Sequence, residues 1–600
     1  MTEQPPQEQN NLMRAETGVT QGTNVMGNLF SLSDVLSSHL SPEEMEKVHQ
    51  RQKKLRTDFL GNEDEMRKTL KLLDCESIVF VGDATFRREN DMKNFGLIIL
   101  TEYRFIFQFL EKDSEKEKFK EDFFKIPFLL FDKVKLADQK TTYIPFTISV
   151  RDGRNLKFFI SEKNKNIFDE LNSRALPKKF DLFSFPKSLN DNYANKYKDL
   201  NGWNVYDLKK EFLRQGVIFD DPNCPFRLCE INKDFKTIPT YPETLIEPKD
   251  IADEIVSKAC KHRTKNRVPT LSYYFDNKIN GVDSTRISGI WRSSQAKSGI
   301  LGSKKNEDVE LINKIISLGG ENSEFTIYDA RPFINAASNK VKGGGYEDVE
   351  DYEKAKLIFC NIENIHKARE AIEKTEEICT DEKIMTNQSF WSQFEATGWL
   401  DFIMLTLKYS SEIAKKVSLG NNVLIHCSDG WDRTPQLVSI SQLLLDPYYR
   451  TFMGFAVLIE KDWLSFGHQF ARRSGILQKK NDEEKERSPI FLQFLDCIYQ
   501  LMVQFPNEFE FNADYLLFIA KNYNVNLFGT FMFNNEEERV KNKAKETTPS
   551  IWTYLLNNKE KYKNSLYDSK NCKKMILPNY AYYSYKLWTA YFMRNSEYAV

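Results

Sequence analysis

The order of polar and apolar positions divides the chain into a polar start, a β-rich stretch and a long α/β region. Residues 1–50 are rich in Gln, Asn, Ser and Glu and have few large apolar side chains, which predicts a disordered segment, although Ser41–Asn62 could be helical from its Ser-Pro-Glu-Glu start. Between residues 70 and 175 short apolar runs recur, and aromatic residues occupy every second position from Tyr103 to Phe109. Because side chains alternate between the two faces of a strand, this pattern predicts a small domain built mainly of strands.

Two of these strands are predicted to form a hairpin. The apolar runs Phe146–Val150 and Leu156–Ile160 flank the turn sequence Arg-Asp-Gly-Arg. A helical stretch that carries Ile167, Phe168 and Leu171 follows the second run. Several antiparallel strands closed by one C-terminal helix are similar to a pleckstrin-homology (PH) barrel. An unrelated small β-domain is the alternative.

The rest of the chain is predicted to be a linker, residues 176–200, and one α/β domain, residues 201–595. Thr397–Leu419 has apolar positions at helical spacing, and Val423–Ile425 is a short apolar run typical of a buried strand. A second helical pattern follows and ends before Asp446, which precedes a proline. The order helix, strand, loop, helix predicts a ligand site outside the carboxyl end of the strand.

The loop between this strand and the second helix carries the strongest chemical signal. It opens with Cys427 and closes with Arg433, with five residues between them. A loop that enters a helix N-terminus points several backbone N–H groups at one place, where the helix dipole favours an anion. Arg433 can add two parallel hydrogen bonds to phosphate oxygens, and Gly430 lets the loop curl without a Cβ clash. The same field favours the thiolate of Cys427, the form that attacks phosphorus. The alternative is an inert buried cysteine.

The sequence HCSDGWDRTPQL at this loop closely resembles the signature of the myotubularins, cysteine-based phosphatases that remove the 3-phosphate from phosphoinositides. Pro435 stands where relatives commonly have alanine, and the first turn of a helix tolerates proline. The resemblance covers most of residues 75–595, with further strong matches at Gly202–Val217, Phe325–Asp348 and Arg450–Gly475. It implies a multidomain protein in which a β-rich PH-like (GRAM) domain, residues 70–175, precedes an α/β cysteine-phosphatase domain.

The resemblance also implies roles for individual residues. Cys427 would be the nucleophile, Arg433 would hold the phosphate, and Asp432 would be the general acid, with Asp429 as the alternative acid. The negative charges of the thiolate and the phosphate are expected to raise the pKa of Asp432. The implied substrate-binding positions are Ser428, Asp429, Gly430, Trp431, Asn339, Asn364, Ile365 and Arg473.

Several of these positions have a simpler structural explanation. Asn339 and Asn364 could be turn or cap residues, Trp431 could be packed in the core, and either aspartate could only fix the loop. Gln469 stands where relatives have an arginine that reaches the ring phosphates. We therefore expect weaker handling of a doubly phosphorylated head group, unless Arg472 replaces that arginine.

Composition narrows the setting in which the chain works. It has 85 Lys and Arg against 86 Asp and Glu, so no overall charge attracts nucleic acid, and any membrane contact must come from a local patch. Its nine cysteines have no repeated pair spacing, so we predict reduced thiols, no metal and no cofactor. No apolar run reaches the roughly 18 residues of a membrane span, and the polar N-terminus is unlike a signal peptide. We expect a cytoplasmic protein, peripheral on endosomal or other phosphoinositide-bearing membranes.

The predicted function is a lipid phosphatase. It would hydrolyse the 3-phosphate of phosphatidylinositol 3-phosphate, and also of the 3,5-bisphosphate, through a cysteinyl-phosphate. Phosphoinositide lipids would be its partners, with homo- or hetero-oligomers with other myotubularins as a further expectation. One alternative is a tyrosine or dual-specificity protein phosphatase, because the same loop serves both substrate classes. The other is a non-catalytic membrane-trafficking adaptor, against which the intact Cys427 and Arg433 argue.

Overall fold

The computed structural model describes residues 42–87, 93–110, 123–136, 143–161, 165–175, 184–197, 200–277, 286–297, 306–341, 343–380, 388–475 and 486–595. It contains a β-rich N-terminal unit, up to residue 175, and a larger α/β unit. The elements of the N-terminal unit are α1 (Pro42–Leu60), α2 (Glu63–Leu70), β1 (Ile78–Arg87), β2 (Lys93–Thr101), β3 (Arg104–Phe109), β4 (Lys125–Pro127), β5 (Phe131–Leu136), β6 (Tyr143–Val150), β7 (Asn155–Ser161) and α3 (Asn166–Ala175).

The N-terminal unit is built on one seven-stranded sheet with the order β4-β3-β2-β1-β7-β6-β5. Every described pairing in it is antiparallel. Phenylalanine side chains fill its interior, and the ring centroids of Phe107 and Phe158 lie 5.2 Å apart. Helix α3 adds Ile167 and Leu171 to the same core. The sheet and its helix therefore enclose one aromatic core.

Two sequence predictions for this unit can be compared with the structure. Strands β6 and β7 pair around residues 151–154, so the predicted hairpin is confirmed. Residues 42–60 form α1, which confirms a helix within Ser41–Asn62 and contradicts disorder for residues 42–50. The rest of the predicted disordered segment lies outside the described residues.

The prediction of a linker over residues 176–200 is also wrong in part, because residues 184–196 form a helix, α4 (Ser184–Lys196). Phe185, Leu189 and Tyr193 are buried in the main core of the larger unit. These side chains recur every four residues, which places them on one face of the helix. The polar composition of the segment concealed this narrow apolar face.

The larger unit contains the remaining helices and strands. They are α5 (Leu208–Arg214), β8 (Phe226–Cys229), β9 (Leu245–Pro248), α6 (Asp253–Lys261), β10 (Thr270–Phe275), β11 (Ser288–Ser293), α7 (Asn306–Leu318), β12 (Phe325–Asp329), α8 (Phe333–Val341), β13 (Ala355–Phe359), α9 (Ile365–Thr380), α10 (Phe390–Ala396), α11 (Trp399–Ser418), β14 (Asn422–His426), α12 (Arg433–Leu445), α13 (Phe452–Ile459), α14 (Phe470–Ser474), α15 (Ile490–Gln504), α16 (Ala513–Asn522), α17 (Glu536–Lys541), α18 (Ala544–Thr547), α19 (Ile551–Asn557), α20 (Lys559–Tyr562) and α21 (Thr589–Phe592).

A five-stranded sheet in the order β10-β11-β14-β12-β13 lies at the centre of this unit. Its strands are parallel except β10, which pairs antiparallel with β11. Strand β14 is the middle strand, and every residue of the helix that follows it, α12, is buried. The predicted helix before β14 is confirmed as α11; it begins at Trp399 because Gly398 has a φ of +77°. Burial on both faces explains the unbroken apolar run Val423–Leu424–Ile425 inside β14.

The hairpin of the N-terminal unit touches the larger unit. Arg151 Nη1, at the hairpin turn, donates to Ser474 O in α14 at 3.1 Å. A Cβ atom on Gly153 would lie 3.7 Å from the Cβ of Glu376 in α9. The N-terminal unit is therefore packed directly beside the helix α14. Within the described ranges, no helix is both long and apolar enough to cross a bilayer.

Candidate active site

The loop predicted to bind phosphate lies at the carboxyl end of the central strand. Strand β14 ends at His426, Cys427 follows it, and α12 begins at Arg433. The Cys427 side chain is buried, with 1% of its surface exposed. The backbone N–H of Ala330, just after β12, donates to His426 O at 2.8 Å and joins the ends of two neighbouring strands. A buried thiol thus faces a helix N-terminus, the arrangement in which anions bind.

Gly430 gives this loop its curvature. Its φ is +76°, and a Cβ atom there would lie 2.4 Å from Ser293 O, so a side chain fits neither the conformation nor the space. Its backbone N–H donates to Cys427 Sγ at 3.3 Å. The loop therefore turns a backbone amide towards the sulfur.

Two buried arginines hold the loop at Gly430. Arg267 Nη2 and Arg292 Nη2 both donate to Gly430 O, at 3.0 and 3.2 Å. Burial lowers the pKa of Arg267 to about 10, and the charge of Arg292 acts in the same direction. A negative charge on Cys427 acts in the opposite direction on both arginines. Neither arginine was predicted to take part in the site. The sequence feature that could have indicated one is the charged Arg292 directly after Ile290 and Trp291.

Arg433 is placed as a phosphate-binding arginine needs to be. It is buried, and its Nη1 donates to Ile362 O at 3.1 Å. Its Nε is buried and has no hydrogen-bond partner among the described residues. One bond fixes the guanidinium while part of it stays available, and a buried unpaired donor is costly unless a ligand satisfies it.

Asp432 differs from its prediction. Arg473 Nε and Nη2 donate to its two carboxylate oxygens at 2.9 and 2.7 Å, and His468 Nδ1 lies 3.3 Å from Oδ1. Burial alone would raise the pKa of Asp432, but Arg473 and His468 outweigh burial and hold the pKa well below its usual range. The predicted raised pKa is therefore wrong for this structure, because the sequence did not show the bidentate ion pair with Arg473.

Asp429 has the opposite environment. Burial and the neighbouring negative charge of Asp432 raise its pKa, and these effects exceed those of Arg267, Lys265 and Arg473. The two loop aspartates are thus set apart, because the pKa of Asp432 is lowered and the pKa of Asp429 is raised. This difference is typical of carboxyl groups that divide acid and base roles.

Ser428 and Trp431 are held by their backbones. Ser428 O accepts a hydrogen bond from the backbone N–H of Gln295 at 3.0 Å, and Trp431 O accepts one from His468 Nδ1 at 2.7 Å. The Trp431 ring is 8% exposed, so it is mainly packed. Gln295 and His468 are two loop-supporting residues that the sequence analysis missed.

Asn339, on α8, reaches the loop through Gln295. Its Nδ2 lies 3.5 Å from Gln295 Oε1, which also accepts a hydrogen bond from the buried Arg331. Arg331 in turn forms a bidentate ion pair with Asp329, the last residue of β12. Asn339 therefore contacts the loop indirectly, through Gln295.

Asn364 and Ile365 stand at the N-terminus of α9. Asn364 Oδ1 accepts hydrogen bonds from the N–H groups of His366 and Lys367 at 2.9 and 3.2 Å, so the side chain caps the helix. Ile365 O accepts from the hydroxyl of Ser488. Because Arg433 binds the carbonyl of nearby Ile362, this helix N-terminus still borders the site.

Helix α14 and the residue before it, Gln469, contain three positions that the sequence relates to the head group. Arg473 is the one that joins the loop, through Asp432, and its Nη1 also binds Glu486 Oε2 at 2.9 Å. Gln469 is buried and its Nε2 donates to the carbonyls of Gly467 and Asn534, at 2.9 and 3.3 Å. The Arg472 side chain is exposed. Gln469 therefore supports the backbone instead of presenting a charge.

The comparisons with known proteins agree with this site. A family model described as a myotubularin-like phosphatase domain matches residues 183–540. The Xenopus laevis protein named Myotubularin is 39% identical over 452 residues, 74% of this chain and 71% of that protein. The Gallus gallus protein named Phosphatidylinositol-3,5-bisphosphate 3-phosphatase MTMR2 is 36% identical over 525 residues, 83% of this chain and 84% of that one. The Caenorhabditis elegans protein named Phosphatidylinositol-3,5-bisphosphate 3-phosphatase mtm-1 is 35% identical over 548 residues, 88% of this chain and 90% of that one. The chain belongs to the myotubularin family.

Proposed function

We propose that this chain hydrolyses the 3-phosphate of phosphoinositides. The observation that carries the proposal is the cradle at the carboxyl end of β14, where Cys427 Sγ accepts a hydrogen bond from the Gly430 amide and Arg433 Nε has no partner among the described residues. The printed names of the Gallus gallus and Caenorhabditis elegans relatives state the same substrate class for those proteins. A buried, preorganised set of donors around a thiol suits in-line attack on a phosphate monoester.

In the first step Cys427 Sγ attacks the phosphorus. The S–P bond forms as the bond from phosphorus to the inositol oxygen breaks, and the leaving oxygen takes a proton from a loop aspartate. Arg433 and the loop amides hold the equatorial oxygens, where charge develops, and this preorganised contact is the main electrostatic contribution. In the second step water attacks the cysteinyl-phosphate and gives its proton back to the aspartate, which releases phosphate and Cys427.

Asp432 is our choice for that aspartate, and Arg473 controls it. Arg473 and His468 hold the pKa of Asp432 low against the effect of burial. A phosphorylated head group competes for Arg473, because a dianionic phosphate accepts the same two parallel hydrogen bonds. Substrate binding would therefore free Asp432 to take up a proton. Asp429, whose pKa is already raised, is the alternative acid.

The Thr434 hydroxyl is the group best suited to accompany the departing thiolate. Thr434 is fully buried, and its Oγ1 has no hydrogen-bond partner in the described part of the chain. It follows Arg433 in the first turn of α12, the turn that faces the loop. A free hydroxyl there can donate to a thiolate as phosphate leaves.

We propose that phosphatidylinositol 3-phosphate is the better substrate and the 3,5-bisphosphate the poorer one. Gln469 is a neutral residue whose amide already binds two carbonyls, where relatives have an arginine. Hydrogen bonds to charged groups contribute roughly 1.5–3 kcal/mol and neutral ones about 1, so an arginine would favour the second phosphate by about tenfold. Gln469→Arg should narrow the difference in kcat/KM between the two lipids, and equal rates in both proteins would remove this role.

Three further proposals concern the setting. Seven antiparallel strands followed by α3 support a PH-GRAM-like domain at residues 70–175, and the burial of α4 extends the phosphatase domain to residues 184–595. A lipid substrate supports a cytoplasmic protein that is peripheral on endosomal or other phosphoinositide-bearing membranes. Homo- or hetero-oligomers with other myotubularins are tested by light scattering of the purified chain, alone and mixed.

Phosphate release from phosphatidylinositol 3-phosphate and from a phosphotyrosine peptide, measured side by side, tests the function. We expect faster turnover of the lipid, and Cys427→Ser should abolish turnover because a serine hydroxyl is not ionised near neutral pH. Faster turnover of the peptide would favour a protein phosphatase. Vesicle binding without turnover of any phosphoinositide would favour a non-catalytic adaptor.

A further inference from the structure

The first turn of α8 exposes two large apolar side chains. Phe333 is 51% exposed and Ile334 is 75% exposed. The next residue of the helix, Asn335, is polar, and its Nδ2 lies 3.4 Å from the carboxylate of Glu363. Adjacent apolar residues of this size are costly in water and mark contact sites when they lie together.

These two residues lie at the same edge of the sheet as the nucleophile. Strand β12 pairs in parallel with β14, and Asp329 is the partner of His426. Cys427 follows His426, and Phe333 begins α8 only four residues after Asp329. Helix α8 also carries Asn339, which reaches the phosphate loop through Gln295. The apolar pair therefore stands beside the entrance to the proposed site.

The Phe333 ring is fixed although it is half exposed. Its centroid lies 5.3 Å from that of Phe359 and 5.9 Å from that of Tyr346. Aromatic neighbours at these distances stabilise one ring position. Phe333 is thus held in its exposed orientation by its neighbours.

Exposed cations surround the same edge. Lys265, close enough for its charge to act on Asp429, and Lys297, four residues after β11, are both exposed. Arg472, next to Arg473, is exposed as well. Cations beside an apolar pair complement a bilayer that carries anionic lipids, since the acyl region takes the apolar side chains and the head groups take the cations.

We propose that the first turn of α8 inserts Phe333 and Ile334 into the bilayer that holds the lipid substrate. The proposal rests on the proposed function, because a membrane-bound substrate requires this edge of the sheet to meet the membrane surface. Insertion would keep the entrance against the head groups while a 3-phosphate reaches Cys427.

The test uses the full chain and a double variant, Phe333→Ser with Ile334→Ser. Activity is measured on phosphatidylcholine vesicles that contain phosphatidylinositol 3-phosphate, and on the soluble dibutanoyl form of the same lipid. Each side chain contributes roughly tenfold or more to partitioning when it is buried in an apolar medium, so vesicle activity should fall by at least about tenfold. Activity on the soluble lipid should stay within about twofold, which also shows that the variant is folded.

Leu419→Ser is the matched control. Leu419 is 65% exposed, but it precedes β14 and lies at the opposite edge of the sheet. This variant should leave both activities unchanged. An equal loss on vesicles with Leu419→Ser, or an equal loss on both lipids with the double variant, would overturn the proposal.

Vesicle sedimentation separates this proposal from the proposed function. Cys427→Ser should bind vesicles, and adding the double substitution should reduce that binding by the same factor as vesicle activity falls. If the wild type hydrolyses no phosphoinositide but this binding difference persists, the function is wrong and the insertion stands. If instead the double substitution only changes the oligomeric state seen by light scattering, the pair lies between copies of the chain and the proposal fails.

Discussion

The sheet of the N-terminal unit and the sheet of the larger unit differ in how they bury charge. In the first, phenylalanines fill the interior, and buried charges have charged partners: Glu76 with Arg104 at 2.9 Å, and Asp83 with Arg56 at 2.7 Å. The second also has buried ion pairs, such as Arg331 with Asp329, but Arg267 is fully buried and, within the described ranges, donates to carbonyl and hydroxyl oxygens.

Unbalanced positive charge at one sheet edge has a physical meaning. A buried charge without a nearby counter-charge is costly, so Arg267 and Arg433 carry a desolvation cost. Both lie around the loop of Cys427, where a dianionic phosphate would supply negative charge. The ion pairs of the first sheet thus compensate charge within the fold, whereas we propose that a ligand compensates the charge around the Cys427 loop.

The largest effect is expected for Asp432, the negative group in this positive site. Asp432→Asn should lower kcat on phosphatidylinositol 3-phosphate by about a hundredfold to ten-thousandfold, the range of general acid–base catalysis. It should change the rate on an aryl phosphate much less, because a good leaving group needs no proton. Asp429→Asn is the control and should cost less than about tenfold; the reverse order would make Asp429 the acid.

The next prediction tests whether the charge of Arg433 serves ligand binding and not the stability of the fold. Arg433→Met should lower kcat by at least about a hundredfold to a thousandfold, the usual cost of losing a preorganised donor. The melting temperature should stay the same or rise, because removing an unbalanced buried charge removes a desolvation cost. A strongly destabilised variant would show that Arg433 serves the fold instead.

Arg104→Met is the matching change in the first sheet. It leaves the carboxylate of Glu76, which is fully buried, without its guanidinium partner. Breaking a buried pair in this way costs about 3–5 kcal/mol, so denaturant unfolding of the N-terminal unit should occur at a lower midpoint. At denaturant concentrations below that midpoint, activity on the soluble lipid should change little. A large loss of activity there would show that this ion pair does not act on stability alone.

The contact between the two units should depend on pH through Glu376. Burial raises the pKa of Glu376 to about 7. The positive charge of Arg594, 3.7 Å away, lowers this pKa, and the negative charge of Asp152 raises it. Between the ordinary pKa of about 4.5 and 7 the folded state binds more protons than the unfolded state, so stability falls as pH rises, by at most about 3 kcal/mol. Glu376→Gln should flatten the plot of melting temperature against pH over this range. An unchanged slope would show that another group causes the pH dependence.

The smallest effect concerns the hydrogen bond that crosses between the units. Arg151 Nη1 donates to the carbonyls of Ser474 and Gly475, at the end of the short helix that carries Arg473. Arg151→Met should therefore lower kcat/KM about threefold to tenfold, the range of coupling through neighbouring contacts. Lys133→Met, an exposed change in β5, is the control and should have no effect.

The sequence alone determined the elements whose signal is local. The apolar run of β14, the glycine in the loop and Arg433 at the helix start lie in one short segment, and the β6–β7 hairpin is set by its own four-residue turn. Backbone preferences and hydrophobic periodicity act over that distance, so the strand–loop–helix arrangement and the hairpin could be predicted. The proposed nucleophile, Cys427, and the proposed phosphate-binding residue, Arg433, followed from the same short segment.

Only the tertiary structure decided what surrounds that segment. The arginines that bind Gly430 O are 163 and 138 residues away in sequence, and the arginine that holds Asp432 is 41 residues away. Burial and an ion pair together set the pKa of Asp432, and neither can be read from its neighbours in the chain. Helix α4 shows the same limit, because its apolar face could be recognised only once the core against which it packs was known. Contacts between distant residues depend on the whole fold, so they fixed the electrostatics of the site while local sequence fixed its backbone.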